Sequence, residues 1–428
     1  MTLSYIKFCD RLILLLCLFF IVYILVPKYI AFSVGFFYLS ADRVILAFLL
    51  LYWIFGLLIY KSINKLFRKR LRSTKNISLL LFFFLLLQFI SVLNSVDFEM
   101  SLKRFLSFFL YIVVSYFVIL SVPLKNAYLT RIAKTFLFAS ILLIGISIFE
   151  IMLNQNVFAG FLDSTSLTEY QQQNLKGKIR GNERRIQASF ANPLTYGQYI
   201  VMIIPILFFL KNWLKRKWLV NITILALITV SFMIRSRSVT IILILSFLYG
   251  LNYLIFLKKL MVSSKILTLL LVSFLVLFVY YQIDFKIVEE FFGEKKLIGD
   301  AGRASQIAMA VPLINDNFLF GFGFGTGSNI LGFGDLDGTS SIDNYFLTVV
   351  LDSGLFTLVL FVFILYKIFI KYFKTRKQNK LIVVGLIFFI INLFTLSITE
   401  VHPIFYFFVA LLLTLESSHE NFTCNHPR

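Results

Sequence analysis

The sequence predicts an all-α, polytopic membrane protein, and two observations carry that prediction. First, 59% of its 428 residues are hydrophobic, only 14% are charged, and the mean hydropathy is +0.89. Soluble globular proteins carry roughly 25% charged residues. Second, long apolar runs recur along the chain, most of them near the roughly 20 residues that a membrane-spanning helix requires. We therefore expect a single polytopic membrane domain over residues 1–428.

About 12 membrane spans are predicted. The first follows a short basic start and has no small-residue cleavage site after it, so we interpret it as a retained helix and not as a signal peptide. The last is the shortest. The predicted spans are Leu12–Val26, Val44–Tyr60, Ile77–Leu93, Phe105–Ser121, Ile132–Met152, Tyr196–Leu210, Trp218–Ile234, Val239–Leu257, Ile266–Tyr281, Tyr345–Tyr366, Leu381–Ile398 and Ile404–Leu415.

The charges are distributed asymmetrically across these spans. The chain has 41 Lys and Arg residues against 21 Asp and Glu, and the densest group of cations lies in the predicted loop Lys61–Lys75. Because cytoplasmic loops are enriched in Lys and Arg, this loop and both termini are predicted to be cytoplasmic. The same distribution removes the support for nucleic-acid binding, which a net charge of +20 would otherwise suggest. Two long loops, residues 153–195 and 282–344, are then extracytoplasmic, and the larger one precedes the tenth predicted span.

Several arginines fall on the outer side, which is otherwise mildly acidic. The most prominent group lies in Asn182–Tyr199, NERRIQASFANPLTYGQY, which turns at Asn192-Pro193 and leads into the sixth span. Arginine suits bidentate recognition of phosphate, and its charge cannot be lost. The alternative is that these residues are interfacial anchors for lipid headgroups. The candidate diphosphate-binding residues are Arg185, Arg235, Arg237 and Arg303.

Asp343 precedes the tenth predicted span, where a carboxylate can accept a proton from a reacting hydroxyl. The alternative is that Asp343 is a helix N-cap, a position that Asp and Asn favour. Other polar residues near outer helix ends are candidates for lining the same cavity, although solvation at the membrane interface also explains them. These candidate cavity-lining residues are Arg184, Asn192, Asn344, Glu150, Glu400 and His402. No cluster of His, Cys and carboxylates has metal-ligand spacing, so neither a metal nor another cofactor is expected.

Several weak motifs occur in a defined order between about Glu150 and Leu360. They are Arg185-x-x-Ala188-x-Phe190-x-Asn192-Pro193, Arg235-Ser236-Arg237-Ser238, Arg303 followed by Pro312 and Gly321-x-Gly323, and Asp343-Asn344-Tyr345-Phe346-Leu347 with Asp352-x-Gly354-Leu355. Together they resemble the O-antigen polymerase and O-antigen ligase superfamily of bacterial membrane glycosyltransferases. Two positions depart from its pattern: the superfamily has Gly where Ala188 stands, and its ligase branch typically has His where Asp343 stands. The second departure favours the polymerase branch.

The resemblance implies an inverting, metal-independent glycosyltransferase of the bacterial plasma (inner) membrane. Its donor is a glycan on undecaprenyl diphosphate. The acceptor is another lipid-linked repeat unit in a polymerase and lipid A–core in a ligase. Asp343, Arg185 and Arg237 are then the catalytic residues, and the product is O antigen, capsule or exopolysaccharide. The implied partners are the bilayer, a chain-length regulator and a flippase, with no nucleic acid. A lipid-linked oligosaccharide transporter is the alternative from a different functional class.

Overall fold

The computed structural model of the chain describes residues 3–34, 37–160, 179–180, 183–236, 238–244, 297–331, 342, 344–375, 379–394 and 400–423. Within these residues the fold is helical, apart from two short antiparallel hairpins. The first hairpin pairs Ala31–Val34 (β1) with Phe37–Ser40 (β2), and the second pairs Ile179–Arg180 (β3) with Glu183–Arg184 (β4). The predicted all-α class is consistent with this architecture.

The described helices follow one another with short connections. They are α1 (Leu3–Leu25), α2 (Ala41–Ile59), α3 (Lys61–Ser73), α4 (Lys75–Leu93), α5 (Phe98–Ser121), α6 (Asn126–Leu153), α7 (Pro193–Leu210), α8 (Lys217–Met233), α9 (Leu297–Asp316), α10 (Gly327–Ile330), α11 (Tyr345–Lys374), α12 (Lys380–Asn392) and α13 (His402–Thr423). Residues 238–244 are helical as well.

Seven of the described helices are long and apolar enough to cross a membrane, by length and composition. They are α1, α2, α4, α5, α6, α7 and α11, and three shorter apolar helices, α8, α12 and α13, accompany them. Each of these helices coincides with a predicted span. The predicted spans Val239–Leu257 and Ile266–Tyr281 lie mostly or wholly outside the described residues. The total of about 12 spans and the side on which each terminus lies therefore stay predictions.

Apolar side chains on the outside of the bundle support a membrane location. On α2, Phe48, Leu51, Phe55 and Leu58 are all exposed, and Leu58 is 79% exposed. A soluble protein rarely exposes a contiguous apolar surface of this kind, because its contact with water is unfavourable. Contact with lipid removes that cost, so these side chains fit helices that face a bilayer.

The predicted loop Lys61–Lys75 is wrong in its secondary structure, because most of it forms α3. Ile63 and Arg70 are buried on one side of this basic helix. The Arg70 guanidinium donates hydrogen bonds to the carbonyls of Leu120 at 3.2 Å and Val122, at the C-terminal end of α5. Burial lowers the pKa of Arg70 to about 10. A cation at a helix C-terminus stabilises the exposed carbonyls there, and this contact docks α3 onto the bundle.

Most of the predicted site residues that the structure describes lie on helix ends and loops at one end of the bundle. We call this end the outer end. Tyr23, in the last turns of α1, donates to the backbone carbonyl of Glu400, just before α13, at 2.5 Å. The N–H of Tyr345, at the start of α11, donates to the carbonyl of Leu393, just past α12, at 2.9 Å. The N-termini of α11 and α13 therefore lie beside the C-terminal ends of α12 and α1. The N-terminus of α7 lies at the same end, because Ser189, just before it, donates a hydrogen bond to the carbonyl of Ile24 in α1.

Candidate active site

The arginine segment, residues 183–192, leads from β4 into α7 at the outer end. Its last residue, Asn192, is the N-cap of α7, since its Oδ1 accepts a hydrogen bond from the N–H of Leu194 at 3.0 Å. Ser189 Oγ donates to the carbonyl of Ile24 at 2.6 Å. The segment is therefore tied both to the helix that follows it and to the end of α1.

Glu150, near the end of α6, holds the middle of the arginine segment. Its side chain is 1% exposed, and the carboxylate accepts hydrogen bonds from the N–H of Ala188 at 2.8 Å and of Gln187 at 3.3 Å. Solvation at the interface, the alternative explanation for Glu150, is therefore wrong. These hydrogen bonds to two consecutive backbone N–H groups fix the conformation of the segment at this point.

That conformation includes an unusual residue. Ala188 has a φ of +50°, which lies in the left-handed region. Residues other than Gly adopt this conformation at a cost of roughly 1–2 kcal/mol. Besides the bond to Glu150, Ala188 accepts a hydrogen bond at its carbonyl from Asn156 Nδ2 at 3.3 Å. Both backbone polar groups of Ala188 are therefore satisfied by neighbouring residues, which hold it in this conformation.

Arg184 lies beside Glu150 and is mostly buried. Its side chain is 11% exposed, its Nε lies 3.9 Å from Glu150 Oε1, and its Nη1 donates to the carbonyl of Asn154 at 3.0 Å. Burial lowers the pKa of Arg184, and the charge of Glu150 opposes that shift. Arg184 therefore lies beside the buried carboxyl group of Glu150 and donates to the backbone just past α6.

Arg185 reaches the turn that follows α8. Its Nε donates to the carbonyl of Ile234 at 2.9 Å, and Ile234 directly precedes Arg235. Arg235 has a φ of +54°, which turns the chain sharply, and the hydroxyls of Ser236 and Ser238 are 3.0 Å apart within the turn. Two arginine motifs that are distant in the sequence therefore meet at one place.

The other predicted catalytic and diphosphate-binding residues are less fully described. Arg237 and Asp343 lie outside the described residues, and of Arg303 only the backbone, within α9, is described. Asn344 is the N-cap of α11, since its Oδ1 accepts a hydrogen bond from the N–H of Phe346 at 2.9 Å. The N-cap of the described α11 is therefore Asn344, and the role of Asp343, which lies outside the described residues, stays a prediction.

Glu400 lies beside a cation that the sequence did not single out. Lys28 Nζ donates to the Tyr23 hydroxyl at 2.6 Å and lies 4.0 Å from the centre of the Tyr23 ring. Burial raises the pKa of Glu400, and Lys28 opposes that shift. Burial likewise lowers the pKa of Lys28 against the charge of Glu400. The backbone N–H of Ala191 also stabilises the Glu400 carboxylate, so Glu400 contacts the arginine segment near the start of α7.

His402 is 2% exposed and sits among aromatic rings. Its ring centre lies 4.7 Å from that of Tyr345, 5.4 Å from that of Phe389 and 5.9 Å from that of Phe108. Interfacial solvation is therefore wrong for His402. Its neighbours place it where the ends of α11, α12 and α13 meet.

A second non-helical stretch, residues 321–327 (the glycine segment), inserts into a break in α11. Gly354 interrupts that helix with φ 80° and ψ 173°. The N–H of Phe322 donates to the carbonyl of Leu351 at 2.8 Å, and the N–H of Gly323 donates to that of Asp352 at 3.0 Å. The carbonyls that the break would leave without a helical partner are thus satisfied by the protein's own backbone.

Asp352 holds the far end of the glycine segment. Its carboxylate accepts a hydrogen bond from the N–H of Gly327 at 2.8 Å, and the Arg104 guanidinium donates to the carbonyl of Gly325. A Cβ atom added at Gly354 would lie 2.0 Å from the carbonyl oxygen of Leu319, so only Gly fits the break. The glycines of the segment that have a positive φ are Gly321, Gly323 and Gly325.

Within the described part of the chain, no three His, Cys, Asp or Glu side chains lie close enough to hold a metal ion. Among the described residues, Arg185 in the arginine segment and Arg235 in the turn after α8 are cations that an anionic ligand could contact. No protein-family model matches the chain, and no curated protein matches it at a significant level.

Proposed function

We propose that the protein is a bacterial plasma-membrane glycosyltransferase of the polymerase type. It transfers a glycan from undecaprenyl diphosphate to the sugar end of another lipid-linked repeat unit on the outer face of the membrane. The observation that carries the proposal is the meeting of Arg185 with the Arg235 turn, at the end of a segment that buried Glu150 holds in place. The left-handed conformation of Ala188 adds support, because the superfamily that the sequence resembles has Gly at this position.

The arginines supply the electrostatics of the proposed reaction. The acceptor hydroxyl attacks the anomeric carbon from the face opposite the diphosphate, and the bond between that carbon and the diphosphate oxygen breaks. The electron pair of the broken bond leaves on the diphosphate, and the hydroxyl proton passes to Asp343. Fixed guanidinium groups stabilise the negative charge that develops on the leaving group. No covalent glycosyl–enzyme intermediate forms, and Asp343 carries the transferred proton at the end of the step.

Two alternatives predict different products. A ligase would use lipid A–core as the acceptor, and the Asp at position 343, where that branch typically has His, disfavours it. A transporter would move the lipid-linked glycan unchanged, and the break in α11 is a feature that many transporters share. In transporters, however, such breaks present free backbone groups to the substrate. Here Phe322 and Gly323 occupy the carbonyls at the break, which disfavours that function.

A reconstituted assay tests the proposal. The purified chain, in liposomes with a lipid-linked repeat unit, should produce a ladder of longer glycans. Asp343→Asn should lower the rate roughly 100- to 10,000-fold, since removal of a general base typically has an effect of that size. Asp343→His should retain part of the activity, because an imidazole can also accept the proton.

Asp97→Asn is the matched control, because Asp97 is the N-cap of α5, where Asp and Asn are comparable, and this change leaves residue 343 intact. It should keep near-normal activity. Transport of the unmodified glycan by the wild-type chain, with no lengthening, would reject the proposed function. Near-normal polymerisation by Asp343→Asn would remove Asp343 from the mechanism.

A further inference from the structure

Three described side chains are buried with both of their polar atoms lacking a hydrogen-bond partner: Gln187, Gln198 and His402. They are 1%, 0% and 2% exposed. Burial of an unpartnered amide or imidazole costs free energy, so native proteins usually satisfy such groups with water or a ligand. All three lie at the outer end of the bundle. Gln88, a buried glutamine on α4, has one unpartnered atom only, its Oε1.

Gln198 shares its face of α7 with another unpartnered side chain. Thr195 is 0% exposed, and its hydroxyl also lacks a partner. Residues spaced three or four apart lie on one face of a helix, so Thr195, Gln198, Met202 and Ile206 form a single row. Helix α12 packs on that row, since a Cβ atom at Gly385 would lie 2.6 Å from the carbonyl oxygen of Met202.

The same face of α12 leads to His402. Gly385, Phe389 and Asn392 are spaced four and three residues apart, so they also share one face. Helices α7 and α12 run antiparallel, because the start of one and the end of the other both lie at the outer end. From Gly385 toward the outer end, the chain therefore reaches Phe389 and Asn392 at the level of Gln198. The His402 ring packs against Phe389, with ring centres 5.4 Å apart.

We propose that Thr195, Gln198 and His402 bind a sugar ring of the lipid-linked glycan. A hydroxyl, an amide and a neutral imidazole each offer both a donor and an acceptor, as sugar hydroxyls do. Such groups suit a polyol, whereas a diphosphate suits the guanidinium groups of the arginine segment. That segment is continuous with the start of α7, so the two parts of one substrate would lie side by side. The identity of the ligand rests on the proposed function, but binding can be measured without any transfer.

The test uses the purified full-length chain in nanodiscs. The probe is a free oligosaccharide, released by mild acid from the lipid-linked glycans of the source organism. Binding is followed by saturation-transfer NMR. Gln198→Met and Thr195→Val remove the polar atoms with little change of shape. Each should weaken binding roughly three- to tenfold, the effect of one lost hydrogen bond, and should leave the thermal midpoint unchanged or raised. Gln88→Met is the matched control and should bind like the wild type.

Several outcomes would overturn the assignment. They are wild-type affinity in both Gln198→Met and Thr195→Val, an equal loss in Gln88→Met, or no binding by the wild type. If the wild-type chain binds the oligosaccharide through Thr195 and Gln198 but transfers no glycan, the binding site is confirmed and only the proposed function is wrong.

Discussion

The arginine segment and the glycine segment are held in place by the same kind of contact, but the residues that they present to their surroundings differ. In each, a buried carboxylate accepts backbone N–H groups of a non-helical stretch: Glu150 binds the arginine segment, and Asp352 binds the glycine segment. In each, an arginine lies beside that carboxylate and donates to a nearby carbonyl, Arg184 in one case and Arg104 in the other. In each, a residue with positive φ shapes the turn.

The difference between them lies in what each segment places at its surface. The glycine segment has Phe322 and Phe324 between its glycines, both buried, and its backbone fills the break in α11. The arginine segment instead brings the half-buried Arg185 to a second arginine motif. A backbone segment that is held in place can therefore either complete the fold or position a charge. We therefore expect changes in the glycine segment to affect stability and changes in the arginine segment to affect activity.

Among the changes within the two segments, the largest effect is expected at Arg185. Arg185→Lys keeps the charge but loses the planar fork that binds phosphate, so polymer formation should fall roughly 100- to 1,000-fold, as for the loss of one preorganised donor. Arg237→Ala should have a similar effect, and Arg303→Ala should also be severe. Arg184→Lys, which keeps a cation beside Glu150, is the control and should be mild. Normal chain-length ladders from Arg185→Lys at native expression would favour the lipid-anchor alternative.

Next in size is the loss of stability expected from Gly354→Ala. This position combines a backbone conformation open almost only to Gly with a Cβ atom that would lie 2.0 Å from Leu319 O. Strain and overpacking each cost roughly 1–3 kcal/mol, so the thermal midpoint in detergent should fall steeply. Gly145→Ala, inside α6 with no atom within 4 Å of the new Cβ, is the control. It should be neutral or stabilising, and an equal loss at both sites would contradict the break in α11.

The two carboxylates give the sharpest test of the comparison. Glu150→Gln and Asp352→Asn each replace a charged acceptor with a neutral one, at a cost of roughly 1–3 kcal/mol of stability. Only Glu150→Gln should also slow transfer per folded molecule, roughly 10- to 100-fold, because a small misplacement of a binding group is costly. Both properties can be measured on the same purified samples. Equal activity losses in the two variants would remove the functional distinction between the segments.

The sequence predicted the helices well and their exceptions poorly. Apolar runs located α2 to within a few residues, as Val44–Tyr60 against the observed Ala41–Ile59. The helix α3 was not predicted, because its many Lys and Arg residues were interpreted as a loop and the helical spacing of its few apolar residues was overlooked. The break at Gly354 was missed for a similar reason: one glycine in a long apolar run is a weak signal.

The contacts that shape the candidate site connect residues far apart in the chain. Glu150 was recognised only as a polar residue near a helix end, and its bond to Ala188 spans 38 positions. Nothing in its residue type marks Ala188 as left-handed, and nothing marked Lys28 as a partner of Glu400. By contrast, the turn into α7 was predicted from Asn192-Pro193. Local rules could be read from the sequence, whereas the long-range hydrogen bonds that position the arginine segment could not.

The smallest expected effect tests the conformation of the arginine segment directly. Ala188→Gly removes the Cβ atom that makes a φ of +50° costly. The relief is roughly 1–2 kcal/mol. The greater chain entropy of unfolded Gly offsets roughly 0.5–1 kcal/mol of it. The variant should therefore be neutral or more stable by up to about 1.5 kcal/mol, with a thermal midpoint at or slightly above that of the wild type.

Ala139→Gly makes the same chemical change at a fully buried position within α6, where the backbone is helical. It should lower stability by about 1 kcal/mol, from the helix propensity of Gly alone. Since the two variants share the same entropic term, the difference between their midpoints reports the strain at Ala188. Equal destabilisation would mean that Ala188 is not left-handed, and the match to the glycine of the resembling superfamily would then lose its physical basis.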